Sequence, residues 1–346
     1  MTLAGRPTAP LTAGCPTGRP TAGSAQAAGH PGGRANAGAP RGEGAVKGLL
    51  VVGDVVTDVV ARHAHPLAPH TDTAARITLL PGGAGANVAC WAARYGAPAR
   101  LLARVGLDSA YWHEAALRSA GVEPVLRIDP ELPTAVVIAL VDATAERTLV
   151  TDSGAALRLG PADWDEALLD GTAHVHLSGY LFFSAPGRDL AALVAKSARA
   201  RGLPLSVDPA SAGFLRGLGV DRFLDAVSGT DLLLPNAAEA ALLAGLPDPA
   251  AAAAALSIRC GATVVVTLGP DGALAASAGR VTARAPGVPS RALDTTGAGD
   301  AFTGGLLAAR LAGADLPESL SAGCRAGAEA VTAVGGRPAR PAGRTS

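Results

Sequence analysis

The sequence contains few aromatic residues and almost no lysine. Aromatic side chains make up 3% of its 346 residues, whereas hydrophobic residues together make up 49%. Lys47 and Lys196 are the only lysines, so almost every basic residue is an arginine. A folded core must therefore be built mainly from alanine, valine and leucine. A site for phosphate groups must work without a dedicated lysine, unless it uses one of these two.

Long apolar runs and paired cysteines are also missing. No apolar stretch approaches the roughly 18 residues that a membrane-spanning helix needs. The cysteines are Cys15, Cys90, Cys260 and Cys324. They form no C-x-x-C pair, which argues against a metal-ligating or disulfide framework and indicates reduced thiols. We therefore expect a cytoplasmic protein without a membrane partner.

Net charge is zero, but it is unevenly distributed along the chain. Four arginines and one glutamate give residues 1–45 a charge of +3, so the remainder carries −3. A slightly acidic globular part argues against nucleic acid as a partner, because binding to a phosphate backbone needs a basic face. Residues 1–45 consist mostly of Gly, Ala, Pro and Thr. This composition predicts a disordered tail, followed by a folded domain at 46–340 and a short tail at 341–346.

Short apolar runs alternate with helical patterns along the rest of the chain. Five runs have the character of buried strands and lie at residues 49–53, 175–177, 205–207, 232–234 and 264–268. Strands that alternate with helices predict an α/β fold with a mainly parallel sheet and helices on both faces. Ligands bind such sheets at the carboxyl ends of the strands. The sequence places a polar row there, formed by Asp54, Asp208, Asn236 and Thr267.

The run D-T-T-G-A-G-D-A-F at residues 294–302 places a glycine-rich turn directly before an apolar helical pattern. A helix start has unpaired N–H groups and the positive end of the helix dipole, so it attracts anions such as phosphate. Gly297 and Gly299 let the backbone approach a ligand closely. Asp300 is then interpreted as a proton acceptor beside a phosphate pocket. An acid in the first helical turn also serves simply as a partner of the helix dipole.

A second glycine cluster, G-G-A-G-A-N, spans residues 82–87. It does not match the dinucleotide fingerprint, which requires glycine where Val88 stands, and the chain contains no Gly-Lys-Ser/Thr tripeptide of a Walker loop. The cluster places Asn87, with two donors and one acceptor, in the first turn of a predicted helix. Backbone amides and such a side chain suit a polyhydroxylated small molecule. Close helix packing would explain the glycines without a ligand.

Together these motifs resemble the PfkB, or ribokinase-like, family of carbohydrate kinases. The upstream signature comprises Gly82-Gly83, Asn87 and R-V-G-L-D at 104–108, and the downstream signature is the run at 294–300. The resemblance covers roughly residues 47–340. It implies a ribokinase-like three-layer αβα domain with a mainly parallel sheet and a small β lid. The lid segments would lie at about 59–80 and 124–151.

The resemblance also implies roles for individual residues. On the acceptor side it implies contacts from Asp58, Gly82, Gly83, Asn87 and Glu146. On the nucleotide side it implies contacts from Asn236, Thr267, Gly269 and Gly272, with Glu239 holding Mg²⁺ through water. It makes Gly297, Ala298 and Gly299 an anion hole and Asp300 the catalytic base. Asp294 and Thr296 would lie around a monovalent cation, usually K⁺.

An enzyme of this family would move the γ-phosphoryl group of ATP to a hydroxymethyl group of a sugar, as ribokinases and fructokinases do. Phosphoryl transfer is largely positioning and charge stabilisation, so amides, Mg²⁺ and one base suffice. A nucleoside kinase on the same fold is the alternative, since a nucleoside carries the same ribose edge. A non-catalytic sugar- or nucleotide-binding regulator is less favoured because the run at 294–300 is intact. Homodimers that form through the lid are common in the family, but the sequence alone does not identify an interface.

Four residues depart from patterns within the family. Ala84 stands where ribokinases commonly have lysine, and Ala339 stands where they place a cation-coordinating serine. Thr151-Asp152 replaces the Tyr-Arg pair that ketodeoxygluconate kinases carry downstream of Glu146-Arg147. These departures argue against a strict ribose assignment, against cation dependence and against an acidic sugar.

Overall fold

The structure is a computed structural model that describes residues 48–143 and 147–339. Within these residues the strands are β1 (Gly48–Val52), β2 (Val56–His63), β3 (Ala75–Gly82), β4 (Ala99–Gly106), β5 (Val122–Asp129), β6 (Ala135–Val141), β7 (Arg147–Asp152), β8 (Thr172–Ser178), β9 (Leu205–Asp208), β10 (Leu232–Leu233), β11 (Thr263–Thr267), β12 (Ala273–Ser277) and β13 (Arg280–Ala285). The α-helices are α1 (Ala84–Arg94), α2 (Ala110–Ser119), α3 (Ala185–Ala200), α4 (Ala212–Leu218), α5 (Val220–Ala226), α6 (Ala237–Ala244), α7 (Pro249–Cys260), α8 (Ala298–Leu311) and α9 (Leu316–Ala330).

Nine strands form a large sheet in the order β13-β12-β11-β10-β9-β8-β1-β4-β5. The strands from β11 to β5 are parallel, whereas β12 and β13 run antiparallel at one edge. The first strand, β1, lies inside the sheet. Strands β4 and β5 follow on one side of β1, and strands β8 to β13 follow on its other side. The winding direction therefore reverses beside β1. Ligands bind doubly wound sheets at the carboxyl ends of the strands next to such a reversal.

Each face of the large sheet carries its own hydrophobic cluster. On β1, Leu50 and Val52 belong to one cluster, while Leu49 and Val51 belong to the other, because successive side chains of a strand point to opposite faces. Helices α3 to α7 cover the first cluster, and α1, α2, α8 and α9 cover the second. This arrangement confirms the expected three-layer αβα architecture.

Four strands form a separate small sheet in the order β3-β2-β6-β7. Strand β2 pairs in parallel with β6 and antiparallel with β3, and β6 pairs antiparallel with β7. Residues 124–129, which we expected in the lid segment 124–151, lie instead in β5 and pair with β4 of the large sheet. Strand β5 is the edge strand of that sheet. Its mixture of polar and apolar residues is therefore typical of a strand that is partly open to solvent.

Local sequence signals position the elements next to the site. Asn236 begins α6 as a side-chain cap, and Asp248 caps α7, while Gly245 and Gly261 end these helices in left-handed conformation. Strands β12 and β13 were not anticipated from the sequence. Four of the five residues of β12 are alanine or serine, and alanine has a weak preference for strands, so the hydrophobic pattern there gives little signal.

Among the described residues, no single helix is long and apolar enough to cross a membrane. Only α6 and α7 taken together, with a bend of 56° between them, reach the required length and composition. Both helices contribute buried residues to the hydrophobic cluster on one face of the large sheet.

Candidate active site

A cavity of about 740 Å³ opens at the carboxyl edge of the large sheet. Residues at the ends of four parallel strands line it: Asp54 after β1, Asp208 on β9, Asn236 after β10 and Thr267 on β11. The small sheet borders the cavity through side chains that include Asp58, and the first turn of α8 borders it as well. The polar row expected at this edge is therefore gathered in one cavity.

The start of α8 forms one wall of the cavity. Gly297 precedes the helix with a φ of 73°, a left-handed conformation that glycine adopts without steric cost. A Cβ on Gly297 would approach the Cα of Gly336 to 2.5 Å, so a second glycine passes close behind the turn. A Cβ on Gly299 would meet no protein atom within 4 Å. Packing against the protein therefore does not require glycine at position 299.

Asp294 holds the turn before α8 in place. Its Oδ1 accepts hydrogen bonds from the Thr296 amide (2.9 Å) and the Thr296 hydroxyl (2.7 Å). Its Oδ2 accepts a hydrogen bond from the Gly335 amide at 3.1 Å. The carboxylate thus joins the turn to the segment that follows α9.

The start of α1 borders the same cavity. Gly83 precedes the helix with a φ of 99°, and a Cβ there would come within 2.6 Å of the Asp54 carbonyl oxygen. The Asp54 carboxylate accepts hydrogen bonds from the amides of Ala84 (2.8 Å) and Gly85 (3.1 Å) and from the Ser178 hydroxyl (2.8 Å). An acid at the end of β1 therefore binds the first amides of α1 and fixes the helix against the sheet.

Asn87 and Asp300 connect the two helix starts. The Nδ2 of Asn87 donates a hydrogen bond to the Oδ2 of Asp300 at 2.8 Å, across 213 positions of sequence. The Oδ1 of Asn87 is buried and has no hydrogen-bond partner among the described residues. Burial raises the pKa of Asp300 to about 7. The hydrogen bond from Asn87 lowers this pKa, whereas the negative charges of Asp54, Asp58 and Glu239 raise it further.

Three further acids share the cavity. Burial raises the pKa of Asp58 to about 6, and the Arg337 guanidinium opposes this rise. Burial, followed by the charge of Glu239, raises the pKa of Asp208 well above its ordinary value. Burial also raises the pKa of Glu239, despite its hydrogen bonds with Asn236. Carboxylates this close together favour a bound cation, which would relieve their mutual repulsion.

The carboxylates of the cavity suit a Mg²⁺ ion that keeps several water ligands better than an ion bound by protein side chains alone. Mg²⁺ prefers oxygen ligands and is commonly held by one or two carboxylates, several waters and substrate phosphates. Within residues 48–143 and 147–339, no three His, Cys, Asp or Glu side chains form a metal-binding group. The cavity therefore suits a hydrated ion that enters with phosphate groups.

Asn236 and Glu239 also have a structural function at the start of α6. The Oδ1 of Asn236 accepts a hydrogen bond from the Glu239 amide at 2.9 Å, and the Oε2 of Glu239 accepts one from the Asn236 amide at 3.0 Å. This reciprocal cap holds both side chains at the cavity. Asn236 additionally pairs with Thr267 through a parallel backbone bridge.

The structure brings most of the expected site residues to the cavity. Those that line it are Asp58, Gly83, Asn87, Asn236, Glu239, Thr267, Asp294, Thr296, Gly297, Ala298, Gly299 and Asp300. Gly82 lies behind the lining, against the Asp58 side chain. Gly269 and Gly272 do not line it and shape the turn between β11 and β12 with φ values of 61° and 98°. Glu146 falls outside the described residues.

An aromatic wall at the cavity was not anticipated. Tyr180, Phe183 and Phe214 line the cavity and pack against one another, with ring centroids 5.0 to 5.9 Å apart. The available signal was the segment Y-L-F-F at 180–183, directly after β8. Three aromatic rings in such a segment stand out in a chain poor in aromatics, and the end of a parallel strand is where ligands bind.

Arg337 was also missed. Its Nη2 donates a hydrogen bond to the Gly82 carbonyl at 2.9 Å, while its Nε and Nη1 are buried with no hydrogen-bond partner among the described residues. Burial lowers the pKa of the guanidinium, and the charges of Cys90, Asp58 and Asp54 oppose that change. An arginine in the glycine-rich segment after the last helix has no sequence pattern that marks it as part of a site.

The doubly wound sheet, its crevice and a helix start suited to phosphate define an α/β phosphotransferase. Residues 46–342 match the family described as pfkB family carbohydrate kinase. The chain therefore belongs to the PfkB family of carbohydrate kinases and is an ATP-dependent kinase. Among curated relatives, the fructokinase of Klebsiella pneumoniae is 31% identical over 307 residues, which cover 84% of this chain and 95% of that protein.

Solved structures agree with this assignment. A protein from E. coli described as a ribokinase II, in complex with ATP and Mg²⁺, has a TM-score of 0.74 and 25% identity, with 84% of this chain and 94% of that chain covered. The adenosine kinase of Sinorhizobium meliloti has a TM-score of 0.76 over 85% of this chain and 96% of its own, and at 23% identity it shows the fold alone. The protein is a sugar or nucleoside kinase of the ribokinase-like family.

Proposed function

We propose that this protein transfers the γ-phosphoryl group of ATP to a hydroxymethyl group of a sugar, with Asp300 as the general base. The observation that carries the proposal is the pair formed by Asn87 and Asp300. In this pair, an acid with a pKa of about 7 lies between a helix start and the glycine turn at 82–87. A base accepts a proton most effectively when its pKa lies near the working pH. Asp300 takes the proton of the attacking hydroxyl.

The start of α8 holds the phosphoryl group that is transferred. Its first amides have no acceptor within the helix. The Ala298 amide reaches the Thr295 carbonyl at 3.3 Å, so the proposal assigns the phosphate oxygens chiefly to the amides that follow it. Gly299 supports this role, because the protein's own packing does not require glycine there, whereas close approach of a phosphate does. Loss of one well-placed donor of this kind typically costs about 3 kcal/mol of barrier. Glu239 would hold Mg²⁺, which would supply positive charge to neutralise the phosphates.

The acceptor binds between the small sheet and the start of α1. The Oδ1 of Asn87 is a buried acceptor that has no partner in the described part of the chain, and a ligand hydroxyl would satisfy it. Asp58 faces the same cavity from β2, beside the Gly82–Gly83 turn. The small sheet acts as a lid that excludes water, which otherwise competes as the acceptor. Glu146, which lies outside the described residues, remains an acceptor-side prediction.

The nucleotide binds along the ends of β10 and β11. Asn236 and Thr267 line the cavity there. Gly269 and Gly272 form the adjoining turn, and their roles as nucleotide contacts remain predictions from the family motif.

A nucleoside is the second candidate acceptor. Tyr180, Phe183 and Phe214 give the cavity an aromatic wall on which a base would stack. The small side chain of Ala84, which also lines the cavity, leaves room on the acceptor side. These two features favour a larger acceptor than a free pentose.

A substrate screen tests both candidates. Purified protein with ATP and Mg²⁺ is assayed for ADP release with pentoses, hexoses, phosphosugars and nucleosides, and Asp300→Asn serves as the matched control. Turnover of a sugar that the control does not turn over supports the first candidate. A strong preference for a nucleoside over its free pentose selects the second. No release above the control with any compound rejects both.

A monovalent cation near Asp294 and Thr296 is proposed from the family motif. The turn is well ordered by the bonds of the Asp294 carboxylate, which favours a preformed site. Equal rates in K⁺ and Na⁺ buffers would argue against a cation function at this turn.

We also propose a homodimer through the outer face of the small sheet. Exposed apolar side chains there are Ile77, Leu79, Ile138 and Val150. An exposed apolar patch of this kind is typical of an interaction surface. Sedimentation equilibrium should show a dimer that Ile138→Lys converts to a monomer, and a monomeric unmodified protein would contradict the proposal.

A further inference from the structure

We propose that Arg337 is a positioning residue for the acceptor, which holds the Gly82 carbonyl and the Asp58 carboxylate in their places. The inference rests on the proposed function, because it assigns Arg337 to the acceptor side of that site. Arg337 does not line the cavity, so it acts through the two residues that it holds.

The guanidinium of Arg337 is buried behind the acceptor turn. Its Nη2 reaches the Gly82 carbonyl at 2.9 Å, although the two residues are 255 positions apart in the sequence. Its other two nitrogens are buried without partners among the described residues, an arrangement that costs free energy. The carboxylates of Asp58 and Asp54 interact with it electrostatically and offset part of this cost. A costly buried charge whose hydrogen bond goes to the acceptor turn points to a function in holding that turn.

The backbone of Gly82 determines where the Asp58 carboxylate lies. Any Cβ on Gly82 would collide with the Oδ2 of Asp58, so the carboxylate rests directly against the glycine. Strands β2 and β3 are paired here, with Val56 opposite Gly82 and Asp58 opposite Leu80. Arg337 therefore constrains Asp58 through the glycine beneath it, and its positive charge favours the ionised carboxylate.

The two glycines before Arg337 contact the other parts of the site. The Gly336 carbonyl accepts a hydrogen bond from the Trp91 indole nitrogen at 2.9 Å. A Cβ on Gly336 would collide with the Nδ2 of Asn87. The Gly335 amide binds Asp294 at the turn before α8. The segment 335–337 thus spans the acceptor turn, α1 and the α8 turn, and it sets the position of Asp58 relative to Asn87.

Three substitutions separate the contributions of Arg337. Arg337→Lys keeps the charge and a donor, Arg337→Gln keeps a donor without the charge, and Arg337→Met keeps neither. The KM for the best acceptor of the screen should rise in that order, by about 10-fold or more in Arg337→Met. The KM for ATP should stay within about twofold, because α8 and the strand ends are unchanged. Equal rises in both KM values, or none in either, would overturn the proposal.

Arg100→Met is the matched control. The Nη1 of Arg100 donates a hydrogen bond to the Leu168 carbonyl at 3.0 Å, so it makes the same kind of contact away from the cavity. Arg100 also forms an ion pair with Glu123 at 2.9 Å, whose loss adds to the effect of the substitution on stability. The substitution should lower the melting temperature without changing the KM for the acceptor. A purely structural Arg337 would behave in the same way as this control.

Hydrogen–deuterium exchange tests the contact without any turnover. Peptides that cover residues 80–88 should exchange faster in Arg337→Met than in the unmodified protein and in Arg100→Met. Unchanged exchange in these peptides would overturn the inference. If no compound of the screen is phosphorylated, the proposed function fails, and the exchange experiment still decides whether Arg337 holds the turn.

Discussion

Asp300 and Asn87 each have a simple local explanation, but the proposed function assigns them a role as a pair. An acid in a first helical turn stabilises the helix dipole, and an asparagine near a helix start is common. The hydrogen bond between them places the acid at the cavity, where burial raises its pKa to about 7. Burial makes this carboxylate difficult to ionise, which lowers the stability of the folded protein at neutral pH. Catalysis would be a reason to retain an acid here.

Asp300→Asn should abolish most turnover and leave ligand affinity within a few-fold. The amide keeps the shape of the side chain and can still accept the bond from Asn87, but it cannot accept a proton. We expect kcat to fall by roughly 10²–10⁴, the range typical of general-base catalysis. Turnover and nucleotide affinity are measured on the same preparation. Near-normal kcat would remove Asp300 from the role of base.

The pH dependence of kcat/KM provides a second check on Asp300. Only the ionised carboxylate acts as a base, so kcat/KM of the unmodified protein should rise as pH increases through about 7. The remaining activity of Asp300→Asn should lack this rise. A profile of the unmodified protein that is flat from pH 6 to pH 8 would contradict the assignment.

The residues of the site could be predicted from sequence only where they belong to a motif. Asp300, Asn87 and Gly297 stand in glycine-rich runs that indicate helix starts, and the structure places all three at the cavity. Arg337 and Phe214 come from segments without a periodic pattern. They reach the site through tertiary contacts that no local rule encodes.

At the scale of elements, the contact between α1 and α8 determines how far apart the two helix starts lie. A Cβ on Gly304 would come within 2.6 Å of the Trp91 Cβ and 2.8 Å of the Val88 carbonyl oxygen. The helices therefore approach closely because Gly304 has no side chain. Since both helices begin at the cavity, this contact also supports the bond between Asn87 and Asp300.

Gly304→Ala should destabilise the fold. The added methyl group has no space, and overpacking of this kind costs about 1–3 kcal/mol of the free energy of unfolding. Urea unfolding measures the change. Gly217→Ala in α4 is the matched control: no atom lies within 4 Å of its added Cβ, so it should be neutral or stabilising by up to about 1 kcal/mol. Equal effects of the two substitutions would show that close packing is not the reason for Gly304.

Buried parallel strands were the most predictable elements. Their continuous apolar runs, as in β1 and β11, are typical of strands covered on both faces. Strands at or next to a sheet edge were harder to assign. β5 and β13 are edge strands with side chains open to solvent, whereas β12 lies between β11 and β13 and consists mostly of small residues. This explains why β5 was placed in the lid segment and why β12 and β13 were missed.

For the whole molecule, two groups of buried ionisable residues act on stability in opposite directions. His174 and His176 share the Ser206 hydroxyl at 2.8 and 2.9 Å, and burial lowers their pKa values to about 4 and about 3. Burial raises the pKa of Asp58 and Asp300 to about 6 and about 7. The histidines favour the folded state at neutral pH, whereas these acids favour it at low pH.

Stability should therefore change with pH in a way that variants can separate. The unfolded chain binds protons on histidine below about pH 6.5, so the contribution of the histidines is lost as pH falls from there toward 3–4. Each histidine should cost about 2 kcal/mol between pH 7 and pH 5. Urea unfolding of His174→Gln should show a smaller loss over this range. An identical loss would exclude His174 as a cause.

Asp300→Asn provides the opposite case. The ionised Asp300 is disfavoured in the folded state, so its stability contribution is lost as pH rises through about 7. The variant should accordingly gain stability relative to the unmodified protein at pH 8 and show less difference at pH 5.

The hydrogen bond between Asn87 and Asp300 has a consequence for protein synthesis. At about 5–20 residues per second, a ribosome needs on the order of 10–40 s to pass from one residue to the other. During that time the nascent chain contains the turn that we assign to the acceptor but not the helix that we assign to phosphate. Chains arrested on the ribosome before residue 298 should therefore fail to retain an ATP analogue, and the protein should become a kinase only after α8 has been synthesised.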